Sequence, residues 1–440
     1  MQPVKIGILG LGTVGCGTVT VLARNHEEIA RRAGREMRIV QASARDLKKK
    51  RPCATGDIQL VEDARTVVRN PEIEVIVELI GGIDPARALV LEAIEHGKHV
   101  VTANKALIAM HGNEIFAAAQ KKGVMVAFEA AVAGGIPIIK MLREGLTANR
   151  IEWLAGIING TSNFILTEMR VKGVDFADVL KEAQRLGYAE ADPRFDVEGI
   201  DAAHKLTILA AIAFGIPLQF NKVYVEGITK ITRMDVHYAE QLGYRLKLLG
   251  IARRAGGAVE LRVHPTLIPE RRLIANVEGA MNAVLVKGDA IGPTMFYGAG
   301  AGAEPTASAV VADLVDVVRT LTTDPNNRVP HLAFQPDALS DLRILPIEEI
   351  ETSYYLRLHA LDKPGVLADV TRILADQKIS IEAILQKEPH AGEDTVPVII
   401  LTQRVREKNM NEAIARIEKL GSIKGRVARI RLEHLNPDWN

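Results

Sequence analysis

The sequence predicts an α/β chain: a doubly wound parallel sheet at the start, an α+β middle carrying a mixed sheet, and a smaller α/β module at the end. Three observations carry this. A short apolar strand, Val4 to Leu9, runs directly into Gly10, Gly12 and Gly15 and then into a helical stretch. Strand and helix patterns alternate through the first third, as they do when helices cover both faces of a parallel sheet. After the connection TTDPNNRVPHLAFQPDALSDLRILP, the pattern restarts as strand, helix, strand, strand, helix, strand.

Composition narrows the class of function. At 440 residues and 48% hydrophobic, the chain is long enough for two or three domains with their own cores. Lys and Arg total 55 against 54 for Asp and Glu, which leaves no basic footprint for nucleic acid and no polybasic membrane anchor. Small polar metabolites are the expected partners. Cys16 and Cys53 are the only cysteines, too few for a disulfide framework or an all-cysteine zinc site, and in keeping with a reducing compartment. The first residues, MQPVKIGILG, lack the charged start and long apolar core of a signal peptide. No run approaches the roughly 20 apolar residues of a membrane span, and a cytoplasmic location is the expectation.

Taken in order, VKIGILGLGTVGCG places GxGxxG between a strand and a helix, the context in which that motif binds a dinucleotide on a Rossmann-type sheet. Gly10 permits the tight turn, Gly12 lets the backbone approach a pyrophosphate, and Gly15 allows the helix to pack closely on the strand. The second strand, MRIVQASAR, ends at Arg45, where a strictly NAD-binding protein would carry an acidic residue against the ribose 2′-hydroxyl. A guanidinium there suits a 2′-phosphate, so NADP is expected, with NAD as the other candidate. The run from Lys48 to Arg51 reads mostly as a solvated charged loop. EVIVELIGG and KHVVTANK follow as parallel strands, separated by the helical PARALVLEAIEHG. Asn104 and Lys105 thus stand at a strand's carboxyl end, where ligands gather in open α/β sheets.

GIDAAHKLTILAAIAFG, from Gly199 to Gly215, is helical and apolar nearly all round, yet holds Asp201 and Lys205. At 100° per residue those two lie within about 40° of each other. An exposed pair of this spacing would be ordinary; burial of both charges needs a partner or a purpose. MNAVLVKGDAIGPTMFYG and LLGIARRAGGAVELRVHPTLI read as strand pairs with glycine turns. In the final module the strands are SYYLRLHAL, ISIEAILQ, TVPVIILTQ and RVARIRLE, with helices GVLADVTRILADQ and NMNEAIARIEKLG.

Seven motifs in order, GLGTVGCG, ELIGG, TANKALIA, FEAAVAGGIPII, GIINGTSNFILT, GYAEADPRFDVEGIDAAHKL and GAGAGAEPTASAVVADL, make the whole chain resemble a homoserine dehydrogenase. The resemblance implies reversible reduction of aspartate 4-semialdehyde to L-homoserine by a nicotinamide cofactor, on the route to threonine, methionine and isoleucine. It assigns proton transfer to Lys205, whose burial favours release of its proton near working pH. Asp201 orients that amine or holds the substrate ammonium, Lys105 lies near the reacting oxygen, and Glu190 is associated with the substrate's amino group. Tyr188, Thr161 and Asp196 are further candidate contacts. Cofactor contacts are expected from Gly10, Gly12, Thr13, Val14, Gly15, Arg45, Lys105, Gly187 and Gly302. FEAAVAGGIP resembles the family's monovalent cation site, implying sodium held by Glu129 and the carbonyls of Val132, Gly134 and Ile136, an oxygen-only set suited to a hard cation.

ALDKPGVLADVTRIL resembles an ACT domain, a ferredoxin-like βαββαβ fold whose first loop, Asp362 to Gly365, often helps to bind an amino-acid effector; threonine is the expectation here. The implied organisation is a cofactor domain over residues 1–135, to which the helix 305–322 returns. A substrate and dimerisation domain over 136–322, a linker over 323–350 and the ACT domain over 351–433 complete it. A homodimer or homotetramer is expected. An ACT-bearing dehydrogenase of 2-hydroxy acids would need a catalytic His with an Arg for the carboxylate, and no such pair stands in context. A thioester-forming aldehyde dehydrogenase would need a suitably placed cysteine, whereas Cys16 lies in the glycine-rich loop and Cys53 in a basic segment. A cofactor-sensing regulator would have no use for both Lys105 and Lys205.

Overall fold

The computed structural model describes residues 2–387 and 394–435, gathered into two compact units made of interleaved stretches of chain. The first unit comprises Met1–Gly160, Asp201–Val223 and Ala280–Leu342; the second comprises Thr161–Ile200, Tyr224–Gly279 and Arg343–Asn440. Among the described residues no helix is long and apolar enough to cross a membrane.

In the first unit, β1 (Val4–Leu9), α1 (Thr13–Arg24), α2 (His26–Ala33), β2 (Met37–Ser43), β3 (Gln59–Val61) and α3 (Ala64–Arg69) form one half of an α/β sheet. The other half is β4 (Val75–Glu78), α4 (Ala86–Glu95), β5 (His99–Thr102), α5 (Lys105–Lys122) and β6 (Val126–Ala127). The six strands are all parallel, in the order β3-β2-β1-β4-β5-β6. That is the doubly wound order, and it reverses between β1 and β4, so a crevice opens at their carboxyl ends. The central strands are apolar apart from Lys5 near the start of β1 and Glu78 at the end of β4, because helices cover both faces: Val4, Ile6, Ile8 and Val75 to Val77 are fully buried. The strands β3 and β6, three and two residues long, are too short to leave a periodicity in the sequence and are recognised only through their pairing.

The helix Ala303–Thr320 returns to this sheet. Ala307, Val310, Leu314 and Val317 are buried in the same core as Ile6 and Ile8. A Cβ on Gly17 would lie 2.4 Å from the carbonyl oxygen of Ala303, so glycine is what lets α1 and this helix approach. The same unit holds an antiparallel meander in which Met281–Gly288 runs between Ile151–Ile157 and Gly292–Ala299.

The second unit contains the long hairpin Tyr244–Ala255 and Ala258–Pro269. It closes through Gly256 and Gly257, whose φ of 53° and 83° give the twist that a two-residue hairpin requires. The βαββαβ module is present as read: Glu351–Leu361, Val366–Asp376, Ile381–Gln386, Thr395–Thr402, Glu407–Ile417 and Ala428–Leu432. Its first strand lies between the last and the third, all antiparallel. Tyr354, Leu358, Val370, Leu374, Ile400 and Met410 belong to a core of its own.

That module is nonetheless continuous with the hairpin. Ala428–Leu432 pairs in parallel with Ala258–Pro269, Thr266 opposite Arg431 and Leu267 opposite Leu432, which makes the unit's sheet mixed. Charges are buried along the seam. Arg431, 1% exposed, meets Glu407 and, at 2.8 Å, Glu226. Arg262, equally buried, donates to Glu433 at 2.6 Å and to Glu260 at 3.2 Å. Breaking a buried pair strands the remaining charge. Glu433→Ala is therefore expected to lower stability in urea unfolding by about 3–5 kcal/mol, and a loss below about 1 kcal/mol, the range of exposed pairs, would contradict this account of the seam.

Candidate functional site

The glycines after β1 divide their work by what surrounds them. Gly10 sits at φ +99°, and a Cβ on Gly15 would lie 2.2 Å from the carbonyl oxygen of Gly10, so the turn and the helix close on one another. At Gly12 a Cβ would meet nothing within 4 Å. Gly12 is also the N-cap of α1, with no side-chain cap. The first turn of α1, with Thr13 and Val14, therefore offers its N–H groups to whatever anion approaches Gly12. A cavity of about 850 Å³ opens there, lined by Gly10, Gly12, Ser43, Arg45 and Gly81 among others. Arg45 is exposed at its wall, and Lys49, Arg51 and Arg65 line it too. Asp46 accepts the N–H groups of Lys48 and Lys49 at 2.9 and 3.1 Å, which shapes the loop.

Sequence reasoning passed over Glu78, the last residue of β4. It is fully buried, and its carboxylate accepts the N–H groups of Ile80 and Gly81 at 2.8 and 3.3 Å and the Thr102 hydroxyl at 2.7 Å. Thr102 Oγ1 in turn accepts the Asn104 N–H at 3.0 Å, and Asn104 Nδ2 donates to the Gly82 carbonyl at 2.6 Å. The Asn104 side chain also caps α5 through the Leu107 N–H at 3.1 Å. This chain of hydrogen bonds ties the loop after β4, which borders the cavity, to the turn from which Lys105 projects. An acidic residue ending an otherwise apolar strand was the available signal.

Lys105 reaches Asp201 from α5. Its Nζ lies 2.7 Å from Asp201 Oδ1, while Lys205 Nζ lies 2.7 Å from Oδ2. Asp201 is 2% and Lys205 8% exposed, and from Asp201 to Phe214 every residue of their helix is buried. The pair is therefore not a solvated i, i+4 contact. Lys205 Nζ also donates to the Ile158 carbonyl at 2.6 Å, and Asn159 Nδ2 to Asp201 Oδ2 at 2.8 Å. Both groups follow the strand Ile151–Ile157, and neither was singled out in the sequence. Burial alone would raise the Asp201 carboxyl, but Lys205 and Lys105 outweigh it and hold the group below the usual carboxylate range. His204, next in sequence to Lys205, stacks on Phe220 with ring centroids 4.2 Å apart, and burial lowers its imidazole to about 4. It is a packed neutral ring.

Glu129 is buried, and its two oxygens accept the N–H groups of Ile139 and Lys140 at 2.9 and 2.7 Å. Burial pushes its carboxyl up to about 7 against those bonds and the nearby Arg143 and Lys140. Val132 and Ile136 are buried beside it in sequence; Gly134, at φ +47°, is pressed against Gly300. Gly302 is the N-cap of the returning helix, at φ +127°.

In the second unit Gly187 adopts φ +80°, and the Glu190 carbonyl accepts from Gln184 at 3.1 Å, while the Glu190 residue is exposed. Thr161 donates to the Tyr188 carbonyl at 2.7 Å, and Ser162 to the Asp196 carbonyl at 3.1 Å. In the βαββαβ module a cavity of about 320 Å³ is lined by Asp362, Lys363, Pro364, Gly365, Gln386 and others.

Three family models match the chain: the NAD-binding domain of homoserine dehydrogenase over residues 10–129, homoserine dehydrogenase over 137–315, and the ACT domain over 354–421. A homoserine dehydrogenase of Pseudomonas aeruginosa is 67% identical over 436 residues, covering 99% of this chain and 100% of that protein. One of Neisseria gonorrhoeae is 56% identical over 437 residues, with 99% and 100% covered. The crystal structure of a homoserine dehydrogenase from Thiobacillus denitrificans superposes with a TM-score of 0.95 at 70% identity, covering 99% of each chain.

The two glycines of the cradle predict opposite outcomes. Gly12→Ala should leave the unfolding midpoint unchanged while raising the Michaelis constant for the cofactor by at least about tenfold, the scale of a lost hydrogen bond to a charged group. Gly15→Ala should lower the unfolding midpoint, because its Cβ meets backbone.

Proposed function

The chain belongs to the homoserine dehydrogenase family, and on that premise we propose how its residues divide the reversible reduction of aspartate 4-semialdehyde to L-homoserine. The observation that carries the proposal is the buried pair of Lys205 and Asp201, joined from α5 by the half-buried Lys105. A nicotinamide cofactor, when bound in the crevice of the parallel sheet, would supply the hydride to the substrate carbon in reduction and accept it in oxidation. In reduction, Lys205 donates a proton to the aldehyde oxygen; in oxidation it takes the hydroxyl proton back. Asp201 favours the charged amine and so keeps a proton ready for the reductive direction. With both amines protonated the trio carries a net positive charge, which stabilises negative charge developing on the reacting oxygen. Lys105 adds the second cation from α5. Glu190 holds the substrate ammonium, as a carboxylate suits that group.

Cofactor binding belongs to Gly10, Gly12, Thr13, Val14 and Gly15, with Gly187, Gly302 and Lys105 completing the contacts. NADP serves at least as well as NAD, a reading supported by Arg45 at the cavity wall where an acid would repel a 2′-phosphate. The division into residues 1–135 with the returning helix, 136–322, a linker over 323–350 and 351–433 is supported by where the three family matches fall. In the ACT domain, the cavity beside Asp362 to Gly365 is large enough to hold an amino acid and is assigned to threonine, the end product that would report on this pathway. A homodimer or homotetramer is supported by the edge strand Gly292–Ala299, on which Tyr297 is exposed. Sodium fits at Glu129, because a cation would relieve the strain of ionising a buried carboxyl; Val132, Gly134 and Ile136 would supply carbonyls.

Three outcomes follow. Lys205→Ala should lower turnover by about 10² to 10⁴ with little change in cofactor affinity, and Lys205→Arg should fail as well because guanidinium does not release its proton. A folded Lys205→Ala enzyme at near wild-type rate would falsify the role. Arg45→Ala should raise the Michaelis constant for NADP far more than for NAD; equal effects would remove the assignment. Glu129 titrates at about 7 in the fold against an ordinary 4.5, so without a bound cation stability falls as the pH rises from 4.5 to 7 and levels off above. Added sodium should therefore raise the unfolding midpoint more at pH 8 than at pH 5, relative to a bulky organic cation, and an equal effect at both would argue against Glu129 as a ligand.

A further inference from the structure

We propose that Asn159 is a positioning residue for proton transfer, its carboxamide fixing the Asp201 carboxylate in place between Lys205 and Lys105. The proposal rests on the reading of Lys205 as the proton-transfer group. Asn159 Nδ2 donates to Asp201 Oδ2 at 2.8 Å, and the same oxygen faces Lys205 Nζ at 2.7 Å, while Oδ1 faces Lys105 Nζ at 2.7 Å. Asn159 is 4% exposed, so water does not substitute for its bond.

The torsion that turns a carboxylate about its Cβ–Cγ bond is soft and roughly two-fold. Two flexible lysines would follow such a rotation. Asn159 is different, because its backbone is anchored: it follows directly on Ile158, whose carbonyl accepts from Lys205 at 2.6 Å. One short segment thereby holds both the anion and the amine that pairs with it.

An amide is also the donor chemistry this position calls for. It draws on the charge of Oδ2 without adding a charge of its own, so Asp201 is shared between amide and amine. Without the amide, more of that charge falls to Lys205, which then keeps its proton to higher pH. Titratable groups that bear on this pair are Asp201 and His204 from the helix of Lys205 and Lys105 from α5; the segment after Ile151–Ile157 brings the uncharged Ile158 carbonyl and Asn159 to it.

The test is the pH profile of kcat for homoserine oxidation in Asn159→Ala and in the isosteric Asn159→Asp, with cofactor affinity and unfolding midpoint measured alongside. For Asn159→Ala we expect kcat to fall by about 10- to 100-fold, as for a small misplacement of a reacting group. The rising limb should move to higher pH by about one unit, with cofactor affinity unchanged. Asn159→Asp, which puts a second carboxylate beside the pair, should move the limb further in the same direction. In Asn159→Ala/Lys205→Ala the losses should not add, since one acts through the other. A limb that stays in place in both single variants, or losses that add, would overturn the role of Asn159 while leaving that of Lys205 standing. A near-normal Lys205→Ala enzyme would instead overturn the reading on which it rests, and this proposal with it.

Discussion

The lysine cluster of the first unit depends on one buried carboxylate. Asp201 sits at the start of a helix with no wet side, and it is held ionised there because lysines from two different helices close on its two oxygens. The arrangement is costly to assemble, since two charges leave water and a third does so in part, and repays that cost only if the geometry is right. That constraint explains the surroundings. The helix must be apolar elsewhere, α5 must begin where Lys105 can reach inward, and the segment after Ile151–Ile157 must present a carbonyl and an amide. None of these features makes sense singly.

The architecture was largely legible because it is written in long periodic segments. GxGxxG between strand and helix, alternating apolar runs and a restart after residue 350 correspond to the doubly wound sheet and the ferredoxin-like module. The short strands Gln59–Val61 and Val126–Ala127 left no trace, because two or three residues carry no period. Asp201 and Lys205 stood out because charge on an apolar helix is anomalous. Lys105 became a partner of that pair only once the fold brought α5 to it, 96 residues earlier in the chain. Glu78 and Asn159 were missed for a related reason. A single polar residue at the end of a strand is commonplace, and only three-dimensional neighbours distinguish one that organises a site from one that faces water.

The cofactor crevice and the lysine centre are joined mechanically through Glu78. Its carboxylate gathers the loop after β4 and, through Thr102 and Asn104, the cap of α5. The loop that borders the cofactor cavity and the residue that pairs with Asp201 are thus anchored to the same buried group. Displacement of either would be felt at the other, which gives the unit a rigid frame for a reaction that requires two reactants to be held in register.

The seam between the long hairpin and the ACT domain bears on how the polypeptide is made. Arg262 is only 1% exposed, yet its partner Glu433 lies 171 positions further along. During synthesis at roughly 5–20 residues per second, the hairpin leaves the ribosome roughly 10–30 seconds before the strand that completes it. Until then an arginine meant for the interior lacks its Glu433 partner, and the stretch of the strand at Thr266 and Leu267 waits for the segment that pairs with it. The second unit is consequently a late-closing structure, since its hairpin waits for a partner 171 positions further along. In that interval the nascent chain is at its most open to pairing with the wrong edge, its own or that of a neighbouring copy.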